Sequence, residues 1–189
     1  VRDGLAFLAN GKTGLKVIDV SDPSRAETIH RCNVSAHSRG TYVSGDYVYV
    51  ADDSAGLQVI DKSAPPTLTL SDNSYSNGCT YDVYVEGDYA YLIGTRGLDV
   101  IDVGSPTNVD FVGHHSDGSG LDCITFVGVH ADGTYAYLAY YQGIQVIDVS
   151  TPSDPRLVGT CHTPGYGHDV HAIANTVYLA DDTNGLVVI

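Results

Sequence analysis

The sequence contains no methionine and no tryptophan, only 3 phenylalanines, and just 9 lysines and arginines against 23 acidic residues. With a net charge of −14, the chain lacks the basic footprint that nucleic-acid binding requires. An acidic balance of this kind fits a soluble protein in salty or calcium-containing surroundings. No apolar run approaches the ~20 residues of a membrane-crossing helix, so no transmembrane segment is expected. Apolar residues at 3.6-residue spacing are also missing, which argues against helices. Cysteine is scarce, at 4, with no Cys-x-x-Cys pair and no zinc-type spacing. An even count leaves disulfides and free thiols both open. No signal peptide is visible. Val1 starts in mid-pattern and methionine is absent even at position 1, so the chain reads as a piece of something longer or as a processed product.

The usual catalytic signatures are absent as well. There is no Gly-x-Ser-x-Gly elbow, His-Glu-x-x-His pair, phosphate loop or dinucleotide fingerprint. The acidic pairs are adjacent in sequence, unlike the two carboxyls that glycosidases hold across a cleft. The sequence therefore points away from an enzyme.

What the chain has is repetition. Gly14-Leu15-Lys16-Val17-Ile18-Asp19 returns at 56–61, 97–102 and 143–148, and a fifth copy, Gly185-Leu186-Val187-Val188-Ile189, closes the sequence. Each copy follows a short alternating run such as Tyr47-Val48-Tyr49-Val50-Ala51 or Tyr135-Ala136-Tyr137-Leu138-Ala139. Tyrosine and β-branched residues in runs this short predict strands. Asn10-Gly11, Asp52-Asp53 and Asp181-Asp182 fall between the two runs, each ahead of the repeat's glycine, and predict hairpin turns. That explanation of the paired aspartates comes before a calcium-binding one, because no Asp-x-Asp-x-Asp-Gly spacing accompanies them. After each repeat, Asp with Ser and Pro (Asp148-Val149-Ser150-Thr151-Pro152, for example) predicts a further turn. A third strand follows, as at 156–159, then a loop of variable length and a fourth strand, as at 41–43, 83–85, 129–131 and 170–172.

Four short strands in about forty residues, repeated, predict an all-β chain folded as a β-propeller, with 1–189 a single repetitive domain. A β-helix has a shorter period, and immunoglobulin-like arrays have units near ~100 residues. The expected content is four full four-stranded repeats plus a terminal hairpin, an incomplete arc of a larger ring. The succession of Tyr-Ala-Tyr-Leu-Ala, Gly-Leu-x-Val-Ile-Asp and Ser-x-Pro resembles the LVIVD-repeat family of bacterial and archaeal propellers, over the whole chain. The resemblance implies secreted or cell-surface proteins and no shared catalytic residues.

Function is then sought where the repeat varies. The spacing from the repeat's Gly to the end of the next Tyr-containing run is 37 residues for Gly14 to Ala51, Gly56 to Ile93 and Gly143 to Ala180. It is 42 residues for Gly97 to Ala139, so a five-residue insertion lies within His114 to Val127. The loops leading to the innermost strands carry His37, Arg39, Tyr81, His114, His115, Tyr166 and His168. These are the binding-face candidates, for a protein partner or, through Tyr81 and Tyr166, a glycan. His130 and His171 share one repeat position with Tyr42 and Tyr84 and, with Asp169, make a candidate enzyme or metal site in the central channel. On a regular strand His168 and His171 face opposite ways and do not share an ion. Asp82 and Asp169 share another position with Gly40 and Gly128, and are expected to accept loop N–H groups. Cys79 and Cys123 fall in consecutive loops and are a disulfide candidate, whereas Cys32 and Cys161 lie three units apart.

Overall fold

A computed structural model describes residues 1, 3–34, 36–63, 78–116 and 126–189, and residues 69–75 through their backbone. The described residues form five antiparallel sheets in chain order. The first holds β1 (Leu5–Ala9), β2 (Leu15–Asp19) and β3 (Glu27–Cys32). The second holds β4 (Gly40–Ser44), β5 (Tyr47–Ala51), β6 (Leu57–Asp61) and β7 (Thr69–Tyr75). The third holds β8 (Thr80–Glu86), β9 (Tyr89–Gly94), β10 (Gly97–Asp102) and β11 (Asp110–His115). The fourth holds β12 (Phe126–Ala131), β13 (Tyr135–Tyr140), β14 (Gly143–Asp148) and β15 (Arg156–His162). The fifth holds β16 (Gly167–Ile173), β17 (Thr176–Asp181) and β18 (Leu186–Val188).

The four repeats and a hairpin thus appear as sheets of three, four, four, four and three strands, because repeat and sheet are out of phase by one strand. Successive sheets meet through β4, β8, β12 and β16, which pack on one another along the channel side. β3, β7, β11 and β15 lie outermost. The sheets are not closed into a ring, the arrangement of a propeller arc.

The repeat strands of the three middle sheets, β6, β10 and β14, are apolar almost throughout because both of their faces are covered. In β10, Leu98 and Val100 pack forward on Phe126, Val129 and Leu138 of the fourth sheet. Ile101 of the same strand packs back on Leu57 and Val59 of the second. Leu57, Val59, Ile60, Leu98, Val100 and Ile101 are all fully buried. The seams on either side, around Leu15 with Val48 and Val50 and around Ile144 with Val170 and Leu179, repeat the scheme.

Turn chemistry closes the units as the residues predict. Asp52 N donates to Gly56 O at 2.8 Å, and Asn10 N to Gly14 O at 2.9 Å. The repeat's glycine is obligatory at Gly97, where φ is +122° and a Cβ would stand 2.0 Å from His115 O. At the end of each of the first four repeat strands, an aspartate Oδ1 accepts the N–H two residues on: Ser21 at 2.9 Å, Ser63 at 2.7 Å, Gly104 at 2.9 Å and Ser150 at 2.9 Å. At Asp19, Asp61 and Asp148 the serine hydroxyl, then its backbone N–H, holds the carboxyl below its ordinary range. Every pairing of a repeat strand with its outermost neighbour contains a register shift, at Val17/Ile18, Val59/Ile60, Val100/Ile101 and Val146/Ile147.

Candidate functional site

The loops that lead to the innermost strands share a face with the turns between second and third strands, and the two interlock across sheets. Ser38 exchanges backbone hydrogen bonds with Gly11 at 3.1 and 3.2 Å, and its Oγ donates to Gly14 O at 3.0 Å. One repeat later Thr80 N and Oγ1 both donate to Asp53 O, at 3.0 and 3.1 Å. Each hydroxyl thereby clasps the preceding sheet's hairpin. Sequence reasoning missed both residues, although a small hydroxyl two places before Gly40 and before Asp82 was there to be read.

Next to this clasp lies a polar cluster. Arg39 Nη2 donates to Asp53 Oδ2 at 3.1 Å, and its guanidinium carbon stands 4.7 Å from the centre of the Tyr81 ring. The Cys79 thiol bonds to the same Asp53 carboxylate. That bond, and then Arg39, hold Asp53 below its ordinary range, while the carboxylate and burial push the thiol up. His37 also lies in the field of Asp53, its ring set against Gly11 at the first hairpin. The structure thus brings together His37, Arg39 and Tyr81, with Asp53 as the unforeseen centre.

The remaining candidates are dispersed. Tyr166 and His168 belong to the fifth sheet. Tyr166 is 59% exposed, and His168 Nε2 lies 3.8 Å from Asp182 Oδ1. Tyr81 and His168 are not loop residues: each sits in a register shift at the start of its inner strand, one place after Thr80 and Gly167 respectively. His114 and His115 are a clearer correction. They end β11, the outermost strand, because the third sheet extends its outer pairing to Leu98↔His115. His114 Nδ1 meets the buried Asp99 Oδ1 at 2.7 Å, and that bond raises the imidazole's affinity for a proton. Cys32, Cys79 and Cys161 are free thiols. Cys123 lies outside the described residues, as does most of the His114–Val127 insertion, and with it the Cys79–Cys123 pair.

The first aspartate of each paired turn is an internal acceptor. Asp52 Oδ2 takes the Ala36 N–H at 2.8 Å. Asp181 takes Thr163 Oγ1 at 2.8 Å and Asn184 Nδ2 at 2.9 Å. No group of three or more metal-donating side chains is assembled among the described residues.

On the channel side the innermost strands set four rings in succession. Centroid separations are 4.6 Å for Tyr42–Tyr84, 4.4 Å for Tyr84–His130 and 4.5 Å for His130–His171. His130 is only 7% exposed and its Nδ1 has no hydrogen-bond partner. The two imidazoles meet edge to face, at 75°. His168 turns towards Asp182 while His171 stacks on His130, so the register shift at His168 does not unite them.

Above the rings lies an alternation of glycine and aspartate. The Asp82 carboxylate is the one that joins sheets: Oδ2 accepts the Val129 N–H of β12 at 3.2 Å, in place of the loop N–H expected from sequence. Asp169 Oδ1 accepts its own neighbour's Val170 N–H at 2.9 Å. Gly40 and Gly128 are glycines because a Cβ there would come within 2.8 Å of the Asp82 and Asp169 Cα atoms. Burial pushes the Asp82 carboxyl up to about 7, with Asp169 adding to it against the Val83 and Val129 N–H groups.

Solved structures with the same fold share little sequence with the chain. The computationally designed Ika8 protein aligns with a TM-score of 0.74 at 10% identity, over 100% of this chain and 56% of that one. The β-propeller domain of Myceliophteria thermophila Cps50 (Swd1) aligns with a TM-score of 0.75 at 12% identity, over 98% and 65%. A chain of a nidogen/laminin complex aligns with a TM-score of 0.68 at 13% identity, over 100% and 72%. The chain therefore spans little more than half of the first of these proteins. At such identities the likeness is one of fold: the chain is an arc of a β-propeller. No curated protein matches it. The LVIVD repeat model matches residues 1–34, 37–75, 77–117, 127–163 and 164–189, in step with the five sheets, so the chain belongs to the LVIVD-repeat family.

Proposed function

We propose that the chain is a non-catalytic propeller segment that serves as an interaction scaffold in a secreted or cell-surface protein. The observation that carries this reading is the Arg39–Asp53–Tyr81 cluster, in which side chains of two sheets present a cation and a ring together on the loop face. Arginine and tyrosine are the residue types that most often anchor protein interfaces. The propeller beneath is a rigid support for such a surface, and the nidogen/laminin match is to a protein solved in assembly with another.

Proximity labelling in cells that express the intact protein tests the reading. Replacing Arg39 and Tyr81 with alanine is expected to remove specific neighbours that substitutions in the opposite-face turns, at Ser63 and Ser150, leave in place. Surface labelling of intact cells tests the location. A neighbour set indifferent to the loop face, or a protein reached only after lysis, would overturn it.

Glycan binding is the second reading, supported by the exposed ring of Tyr166 beside the hydrogen-bonded Asp181 turn. A glycan array with wild type and Tyr166→Ala separates the two.

A further inference from the structure

We propose that the His130–His171 contact is an acid-sensitive latch, closed while His130 is neutral and opened, between the fourth and fifth sheets, when acidification charges it. At the same repeat position the second and third sheets carry Tyr42 and Tyr84, rings of similar reach that carry no positive charge. Only the fourth and fifth sheets place two titratable bases there, one against the other, with centroids 4.5 Å apart. Neutral imidazoles pack as aromatic rings do. A charged His130 sets a cation that is only 7% exposed, with little water to solvate it, against a second base.

The groups around the pair decide the sign. Asp132, just beyond β12, and Asp169, on β16, favour the charged form of His130. Its burial and the neighbouring His171 oppose that and prevail, so His130 is held below the ordinary imidazole value of 6.5. The other titratable groups on strands packed against β12 are Tyr81, Asp82, Tyr84 and Glu86 on β8, Tyr89 and Tyr91 on β9, Tyr135, Tyr137 and Tyr140 on β13, and His168 on β16. Against β16 lie β13 and β17, and on β17 Tyr178 stands opposite His171. No lysine or arginine occurs on these strands. Because the folded value is depressed, the contribution of His130 to the closed seam is present above about 6.5 and is lost as the pH falls through the lower, folded value. Opening the seam also separates Tyr166 and His168, on the fifth sheet, from the loop residues of the other sheets.

Amide hydrogen exchange resolved by strand tests the latch. Between about pH 7.5 and pH 5, after correction for intrinsic exchange, β16 and β17 should lose severalfold more protection than β5 and β9. His130→Tyr, which copies the residue used by the other sheets, should abolish that difference, and His171→Tyr, which removes the neighbouring base but not the burial of His130, should reduce it. His171 is exposed, so His171→Tyr keeps the test informative even where the buried His130 does not tolerate a larger ring. His168→Gln, next to Asp182, should leave the difference unchanged. Uniform loss across all strands, a difference that survives both tyrosine variants, or one removed by His168→Gln would overturn the proposal.

Discussion

Asp82 Oδ2 accepts the Val129 N–H at 3.2 Å, so one carboxylate links the innermost strands of two adjacent sheets. Its proton affinity is raised by burial, to about 7 against an ordinary 3.8. A carboxyl whose folded value is raised contributes stability that is complete below the unfolded value and is lost as the pH climbs through the folded one. Asp82→Asn keeps an acceptor for Val129 and cannot ionise. Its stability relative to wild type should therefore grow by about 1–3 kcal/mol between pH 5 and pH 8, read from urea melts at each pH.

His114 and Asp99 give the complementary case at the periphery. The 2.7 Å contact raises the folded value of His114, so its stabilising effect is full below the ordinary imidazole value and fades as the pH rises through the folded one. Wild type should exceed His114→Gln in stability by about 0.5–1.5 kcal/mol more at pH 6 than at pH 9. Thermal melts of the two proteins at both pH values check this.

The Arg39–Tyr81 contact is partly exposed, which limits its worth. A double-mutant cycle with Arg39→Ala and Tyr81→Ala should give a coupling of about 0.5–1 kcal/mol. A coupling near zero would mean that Arg39 is held by Asp53 alone.

Two leucines separate the seam from the rim. Leu57 is fully buried between the second and third sheets, and Leu57→Ala should cost about 2–5 kcal/mol. Leu157, on the outermost strand β15, is 46% exposed, and Leu157→Ala should cost less than about 1 kcal/mol. Equilibrium denaturation of both variants provides the comparison.

The fold was legible because each structural demand recurs. Gly97, Leu98 and Asp102 each answer a local need that every unit repeats: positive φ, a two-faced seam and a turn acceptor. The site was less legible because it is built between units. Arg39 lies 14 residues from Asp53 and 42 from Tyr81, and only the arc brings the three together. His114 illustrates the opposite error. A histidine beside an insertion suggests a loop, but cross-strand pairing with the buried Asp99 draws it into the sheet. The ring succession Tyr42–Tyr84–His130–His171 was visible as a shared repeat position, whereas the edge-to-face angle of the last two rings required coordinates.

The register shifts of the outermost strands have a consequence for how copies of the protein meet. An extended rim strand offers unpaired N–H and C=O groups to any neighbouring chain and so invites edge-to-edge aggregation. In β3, β7, β11 and β15 the shift inserts an unpaired residue and twists the rim out of register with a would-be partner strand. The exposed Ile29 and Val158 stand at two of these shifts. A bulky apolar residue on the circumference is therefore set where a second strand cannot align beside it, and each of the first four sheets carries its own guard against polymerisation.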